Sequence, residues 1–249
     1  MPNVSIHLVL VAAVLPLAAH AGAPFRTDDP EPVEYRHWEV DGFDTATHVH
    51  GSTAGALAAI ELNYGALPDT QVHFVTPLAF DRAAGSGARL GYGDTEFGVK
   101  YRFLHGDEHG WLPQVAIFPL LDLPTGDQSR GLGTGHGHAF LPLWLGKTLG
   151  PWFTSVGGGY WINPGPGNRN YWFAGWLLLR RVADDLAVGG EIFHATANTV
   201  GGRDGSGFNL GIVYDFNEHY HLLLSAGRGF QNASATNEFS YYLALQWTF

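Results

Sequence analysis

Thirteen histidines are the first candidates for chemistry, and some stand one residue apart, notably His48 with His50 and His136 with His138. Residues at i and i+2 of a strand share a face, so each pair could offer two imidazoles to a metal ion. A site needs a third ligand, and the neighbouring acid, Asp127, falls in a Gly-rich loop. Polar loop composition is the other reading of these histidines, and no metal is assigned. Ser155, Ser225, His194 and His221 are the pieces a hydrolase would need. However, no Gly-x-Ser-x-Gly occurs, and sequence alone brings no serine to a base and an orienting group. The run Gly131-Leu132-Gly133-Thr134-Gly135 imitates a phosphate-cradling loop but lacks the Gly-Lys-Ser/Thr end and the following helix. No enzyme activity, catalytic residue, metal or cofactor is expected.

The charged side chains follow a different logic. They are only 14% of the chain, and many alternate with apolar neighbours. Thr95, Phe97, Val99, Tyr101 and Phe103 interleave with Glu96, Gly98, Lys100 and Arg102; Phe208, Leu210, Ile212, Tyr214 and Phe216 interleave with Asn209, Gly211, Val213 and Asp215. Period two is the signature of strands with one apolar face. If that face meets lipid, a charge pointing the same way would cost about 2–4 kcal/mol at mid-depth, so the charges must turn inward. The expected lumen set is Glu61, Glu96, Lys100, Arg102, Glu191 and Asp215. These either line a pore or form a salt-bridged filling that closes its centre. Where both faces are apolar, Phe140, Trp144, Trp172 and Trp176 are the expected lumen aromatics, with ordinary packing in a narrow barrel as the other reading.

Twelve extended segments carry these residues: 36–45, 54–66, 71–81, 92–104, 113–123, 138–148, 152–162, 171–182, 186–197, 206–216, 220–229 and 238–249. Short connections alternate with longer ones rich in Gly, Pro, Asn and Asp, the longer set being 46–53, 82–91, 124–137, 163–170, 198–205 and 230–237. Alternating loop lengths predict an all-β, 12-stranded antiparallel transmembrane barrel of the outer-membrane type with both termini periplasmic. At the usual tilt its backbone radius is about 12 Å, narrow enough to restrict passage to small molecules.

Both ends of the chain agree. Residues 4–19 form an uncharged apolar run too short to span a membrane, followed by Ala19-His20-Ala21, so a signal peptide over 1–21 is expected. The barrel is expected over 36–249. Residues 22–35 between them hold three prolines and several acids and cannot form a helix. They are either a partial plug of the periplasmic mouth or a periplasmic tail. The last strand presents Tyr241, Leu243, Leu245, Trp247 and Phe249 on one face. It rises about 36 Å, which at a tilt of roughly 40° covers close to 28 Å of bilayer. A terminal strand ending on Phe is expected to be read by the barrel-assembly machinery through its exposed edge.

The opening Thr27-Asp28-Asp29-Pro30-Glu31-Pro32-Val33-Glu34, the stretch from Gly91 through Gly93-Asp94 to Phe103, and the Leu121-Asp122-Leu123-Pro124-Thr125-Gly126-Asp127 loop resemble a family of Gram-negative outer-membrane barrels. These are the phenol-degradation meta-pathway transporters, and the likeness runs from about residue 25 to the C-terminus. The resemblance implies passage of small hydrophobic, often aromatic, compounds across the bacterial outer membrane, and carries over no site residue. The expected partners are outer-membrane lipids, the assembly machinery and small apolar solutes. A net charge of -10 argues against nucleic acid. A structural or adhesive barrel without an open pore is the alternative, and an outer-membrane hydrolase a more distant one.

Overall fold

Apolar side chains on alternate positions of every long segment leave only one closed solution in lipid: strands whose backbone groups all pair with neighbours. The computed structural model describes residues 24–107 and 110–249, and the leader expected over 1–21 lies outside them. The strands run β1 Trp38–Val49, β2 Ser52–Leu67, β3 Thr70–Ala83, β4 Arg89–Tyr92, β5 Thr95–Leu104, β6 Gln114–Ile117, β7 Leu120–Leu123, β8 His138–Leu149, β9 Trp152–Ile162, β10 Tyr171–Ala183, β11 Leu186–Ala195, β12 Gly205–Asp215, β13 Tyr220–Gln231 and β14 Phe239–Thr248.

β4 and β5 are one stave of the wall, since both pair along β3. β6 and β7 are another, broken at Phe118-Pro119, where proline has no N–H to give the ladder. Every pairing between the named strands is antiparallel, and β1 closes on β14 from Glu39↔Thr248 to His48↔Phe239. The result is the closed 12-stranded antiparallel barrel.

The end carrying both termini has short turns, such as those at 68–69, 150–151 and 184–185, and is the periplasmic end. The opposite end carries most of the longer loops, although the turn-end connection 105–113 is also long. The long outer loop expected over 46–53 is a two-residue turn, because Thr45↔Ala56 through Val49↔Ser52 continue the ladder and Gly51, at φ +82°, makes the reversal.

The wall's outside is apolar at mid-height, with Leu143, Ile192, Leu210, Leu243 and Leu245 all exposed. Trp38, Trp152, Tyr220 and Trp247 gather toward the turn end, as aromatic side chains do at a lipid–water boundary. The buried side is polar instead: Glu39, Asp41, Asn63, Gln71, His73, Lys100, Glu191, Asn209 and Gln246 are all nearly inaccessible. A polar inside and an apolar outside invert a soluble protein, and this requires lipid around the barrel.

Candidate functional site

The lumen is occupied by the chain's own N-terminal segment. Pro24, Thr27, Asp29 and Pro30 are buried there, and each step of the segment is tied to the wall. The Ser225 hydroxyl donates to the Pro24 carbonyl. Glu191 accepts from Arg26 N (2.9 Å), Thr27 N (2.8 Å), the Thr27 hydroxyl (2.6 Å) and Asn209 Nδ2 (2.6 Å). Ser155 donates to the Asp28 carbonyl (2.6 Å), and Lys100 Nζ lies 3.0 Å from Asp28 Oδ1 and 3.9 Å from Asp29 Oδ1. Lower down, Arg102 reaches Glu31 at 3.6 Å, and Val33 N donates to Gln71 Oε1 at 2.9 Å. Gly175 and Gly146 make room: a Cβ on the first would collide with Thr27 Oγ1, and on the second with the Pro30 ring. From mid-height the segment descends to Tyr35, which bridges Gly65, and enters β1.

Each of the six charges expected in the lumen is engaged by other groups of the chain. Glu191, Lys100 and Arg102 hold the N-terminal segment, and Arg102 also pairs with Asp69 at 2.8 Å. Asp215 binds Arg181 (3.3 Å) and His221 (2.8 Å). Glu61 and Glu96 meet across His73, 3.4 Å from Nδ1 and 2.9 Å from Nε2 respectively. His73, Gln71, Glu39 and Asp41 were missed, although Val72 and Phe74, and Trp38 and Val40, alternate with them and carry the same period-two signal.

Two of the four expected aromatics are inside and two are not. Phe140 and Trp144 pack with Phe118 in the lumen. Trp172 and Trp176, 59% and 48% exposed, stand on the lipid face, and Phe173, Gly175 and Leu177 take the inward positions. The cause is a bulge at the foot of β10. The turn pairs Ala183 with Leu186, but Arg181 pairs with Ala187, so one residue drops out of register. A one-residue slip exchanges the two faces of everything beyond it. Glu191 therefore pairs with Leu177, not with Leu178.

The other candidate groups are committed elsewhere. His48 contacts Thr53 and Glu238, and His138 lies 3.9 Å from Asp122. Asp127 caps the short 3-10 turn Gln128–Arg130, and the Ser129 hydroxyl at 2.6 Å holds its carboxyl below the usual carboxylate range. Among the described residues, the ligating groups that converge are Glu39, Asp41 and Glu61, within 4.8 Å of one another, and His73 meets this trio at Glu61. Ser155 and Ser225 spend their hydroxyls on the N-terminal segment rather than on a base.

Among the described residues, three of the cavities around the segment have Arg26 in their walls. The largest of these three, about 690 Å³, opens at the loop end between Phe140, Trp161, Tyr171, Phe173 and Phe193. A second of about 220 Å³ lies deeper, against Asp41, Glu61, His73, Glu96, Lys100 and Trp144. The third, about 90 Å³, sits beside Pro24 and Ser225.

No family model matches the chain, and no curated protein sequence matches it. Solved structures do. The COG4313 outer membrane channel from Pseudomonas putida F1 superposes with a TM-score of 0.71 over 89% of this chain and 98% of its own, at 14% identity. The chain has the fold of an outer-membrane β-barrel. The NanC porin (TM-score 0.59, 7% identity, 84% of this chain and 98% of that one) is similar to the barrel. So is the KdgM porin in complex with disordered oligogalacturonate (0.56, 8%, 85% and 99%). At these identities the likeness is one of fold.

Proposed function

We propose that the barrel is a channel for passive passage of small, mostly apolar solutes, and that residues 24–34 are a partial plug within it. The observation that carries the reading is the aromatic-walled cavity at the loop end, standing directly over the segment that fills the middle. Aromatic surfaces partition an apolar solute out of water, and the paired charges below discourage bare ions. The resemblance of the Thr27–Glu34 and Leu121–Asp127 stretches to phenol-degradation transporters points the same way. The fold relatives include a channel and porins by name. The test is flux into liposomes carrying the refolded protein, comparing a phenol-sized aromatic with a sugar of similar mass. Faster flux of the aromatic supports the channel; equal acceleration of both means a general pore.

A closed structural barrel is the competing reading, and the burial of Pro24, Thr27, Asp29 and Pro30 speaks for it. Deleting residues 23–34 separates the two. A plugged channel gains conductance, whereas a barrel that stays silent without the segment is structural.

A further inference from the structure

The rings of the loop-end cavity form a continuous run. Tyr171 stacks on Trp161 (centroids 5.7 Å, planes 8° apart), and Trp161 on Phe140 (4.7 Å, 9°). Phe140 meets Phe173 edge-on (6.3 Å, 81°), and Phe173 lies along Phe193 (6.5 Å, 20°). The run ends at a cation: Arg26 Cζ is 4.6 Å from the Phe193 ring centre.

This guanidinium is exposed to the cavity and feels the charge of Glu191, but among the described residues its side chain makes no hydrogen bond and no ion pair within 4.0 Å. The acid that its own backbone meets, Glu191, is already filled by donors from Arg26 N, Thr27 and Asn209. The fork of N–H donors therefore faces the cavity unused. A second arginine, Arg203, stands on the rim with Nη1 3.4 Å from Asn232 Oδ1, and no Asp or Glu among the described residues lines the cavity. In a chain of net charge -10, an acid-free cavity with two arginines is a local inversion of sign that draws anions.

We propose that this cavity is a binding subsite for aromatic monocarboxylates, the carboxylate paired with Arg26 and the ring seated against Phe173, Phe193 and Phe140. The proposal deepens the channel reading by naming the solute class, and it rests on that reading. A planar guanidinium matches a carboxylate through two parallel hydrogen bonds, which neutral alcohols cannot reproduce. The negative Glu191 beside it disfavours a dianion. The cavity's volume of about 690 Å³ falls in the range of roughly 300–1,000 Å³ usual for small-molecule sites.

The test is calorimetric titration of the refolded full chain at neutral pH with benzoate, benzyl alcohol and acetate, alongside benzoate flux into liposomes. Benzoate is expected to bind about tenfold or more tightly than either of the others, since each shares only half of its recognition. Arg26→Gln should weaken benzoate about tenfold without changing benzyl alcohol, and Arg26→Lys should keep part of the difference. Arg203→Gln should change benzoate affinity by less than about threefold, because its charge lies at the rim. Equal affinity of the unaltered protein for benzoate and benzyl alcohol overturns the proposal, even where Arg26→Gln fails to fold. Full benzoate affinity in folded Arg26→Gln overturns it as well. Arg26-dependent binding without flux upholds the site and sinks the channel reading; flux without such binding does the reverse.

Discussion

The Thr27 hydroxyl donates to Glu191 Oε2 at 2.6 Å, joining residues 164 apart in sequence at the middle of the barrel. Both main-chain N–H groups at residues 26 and 27 converge on the same carboxylate, so one wall residue fixes a full step of the segment. Hydrogen bonds to a charged acceptor contribute about 1.5–3 kcal/mol each, and the three here act together. Glu191→Ala is expected to destabilise the seated segment by about 3 kcal/mol, which raises its released population about 100-fold. Trypsin cleavage after Arg26, followed by mass spectrometry, reads that population when opening is fast relative to cutting. An unchanged cleavage rate in the folded variant would show that other contacts hold the segment.

A steric version of the same test leaves every charge in place. Gly175 faces Thr27 with no room for a methyl group, whereas Gly42 in β1 has nothing within 4 Å of where a Cβ would go. Gly175→Ala must displace Thr27 or the strand. Because the strand is locked by pairs on both sides, at Gly157 and Phe193, the segment is the part that yields. Single-channel conductance should rise in Gly175→Ala and stay at the parent value in Gly42→Ala. Equal conductance in all three would mean that Thr27 does not obstruct the path.

The twelve staves and the closing strand were legible because lipid on one side and polar filling on the other enforce period two almost everywhere. Phe239 to Trp247 and Phe97 to Phe103 carry that signal without interruption. Two features escaped it for the same physical reason. β10 is apolar on both faces around Trp172 and Phe173, so no polar residue marks its inside. The bulge at residues 181–183 then reverses the face that the turn alone would assign. The period-two pattern put these charges on the face opposite the apolar one, but did not show them paired with the segment. Asp28, Asp29 and Glu31 read as solvated acids until the fold brings Lys100 and Arg102 against them.

Lys100 is 1% exposed, with its ammonium 3.0 Å from Asp28 Oδ1 and 4.9 Å from the centre of the Phe118 ring. Removing one member of a buried pair costs about 3–5 kcal/mol, and the partial exposure of Asp28 places this one near the lower end. Lys100→Met keeps the stem and deletes the charge, so it should lower the urea midpoint for loss of the seated segment. Asp28→Asn added to Lys100→Met should recover part of the loss, because the stranded carboxylate is then neutral. Strictly additive losses across the double-mutant cycle would deny the pair any coupling.

The face assigned to Trp176 can be checked in a bilayer. Its indole Nε1 donates to Thr154 Oγ1 at 2.9 Å along the outer wall, and its ring is 48% exposed, whereas Trp144 is 1% exposed within the lumen cluster. Brominated acyl chains quench only the tryptophans they can touch. Trp176→Phe should therefore remove a bromine-quenched component of the fluorescence, and Trp144→Phe should remove an unquenched one. The two folds that the register permits predict opposite results, since without the bulge Trp176 would share the face of Glu191 and be shielded from lipid. Loss of a quenched component on Trp144→Phe would therefore reject the observed register of β10, and with it the place of Gly175 beneath Thr27.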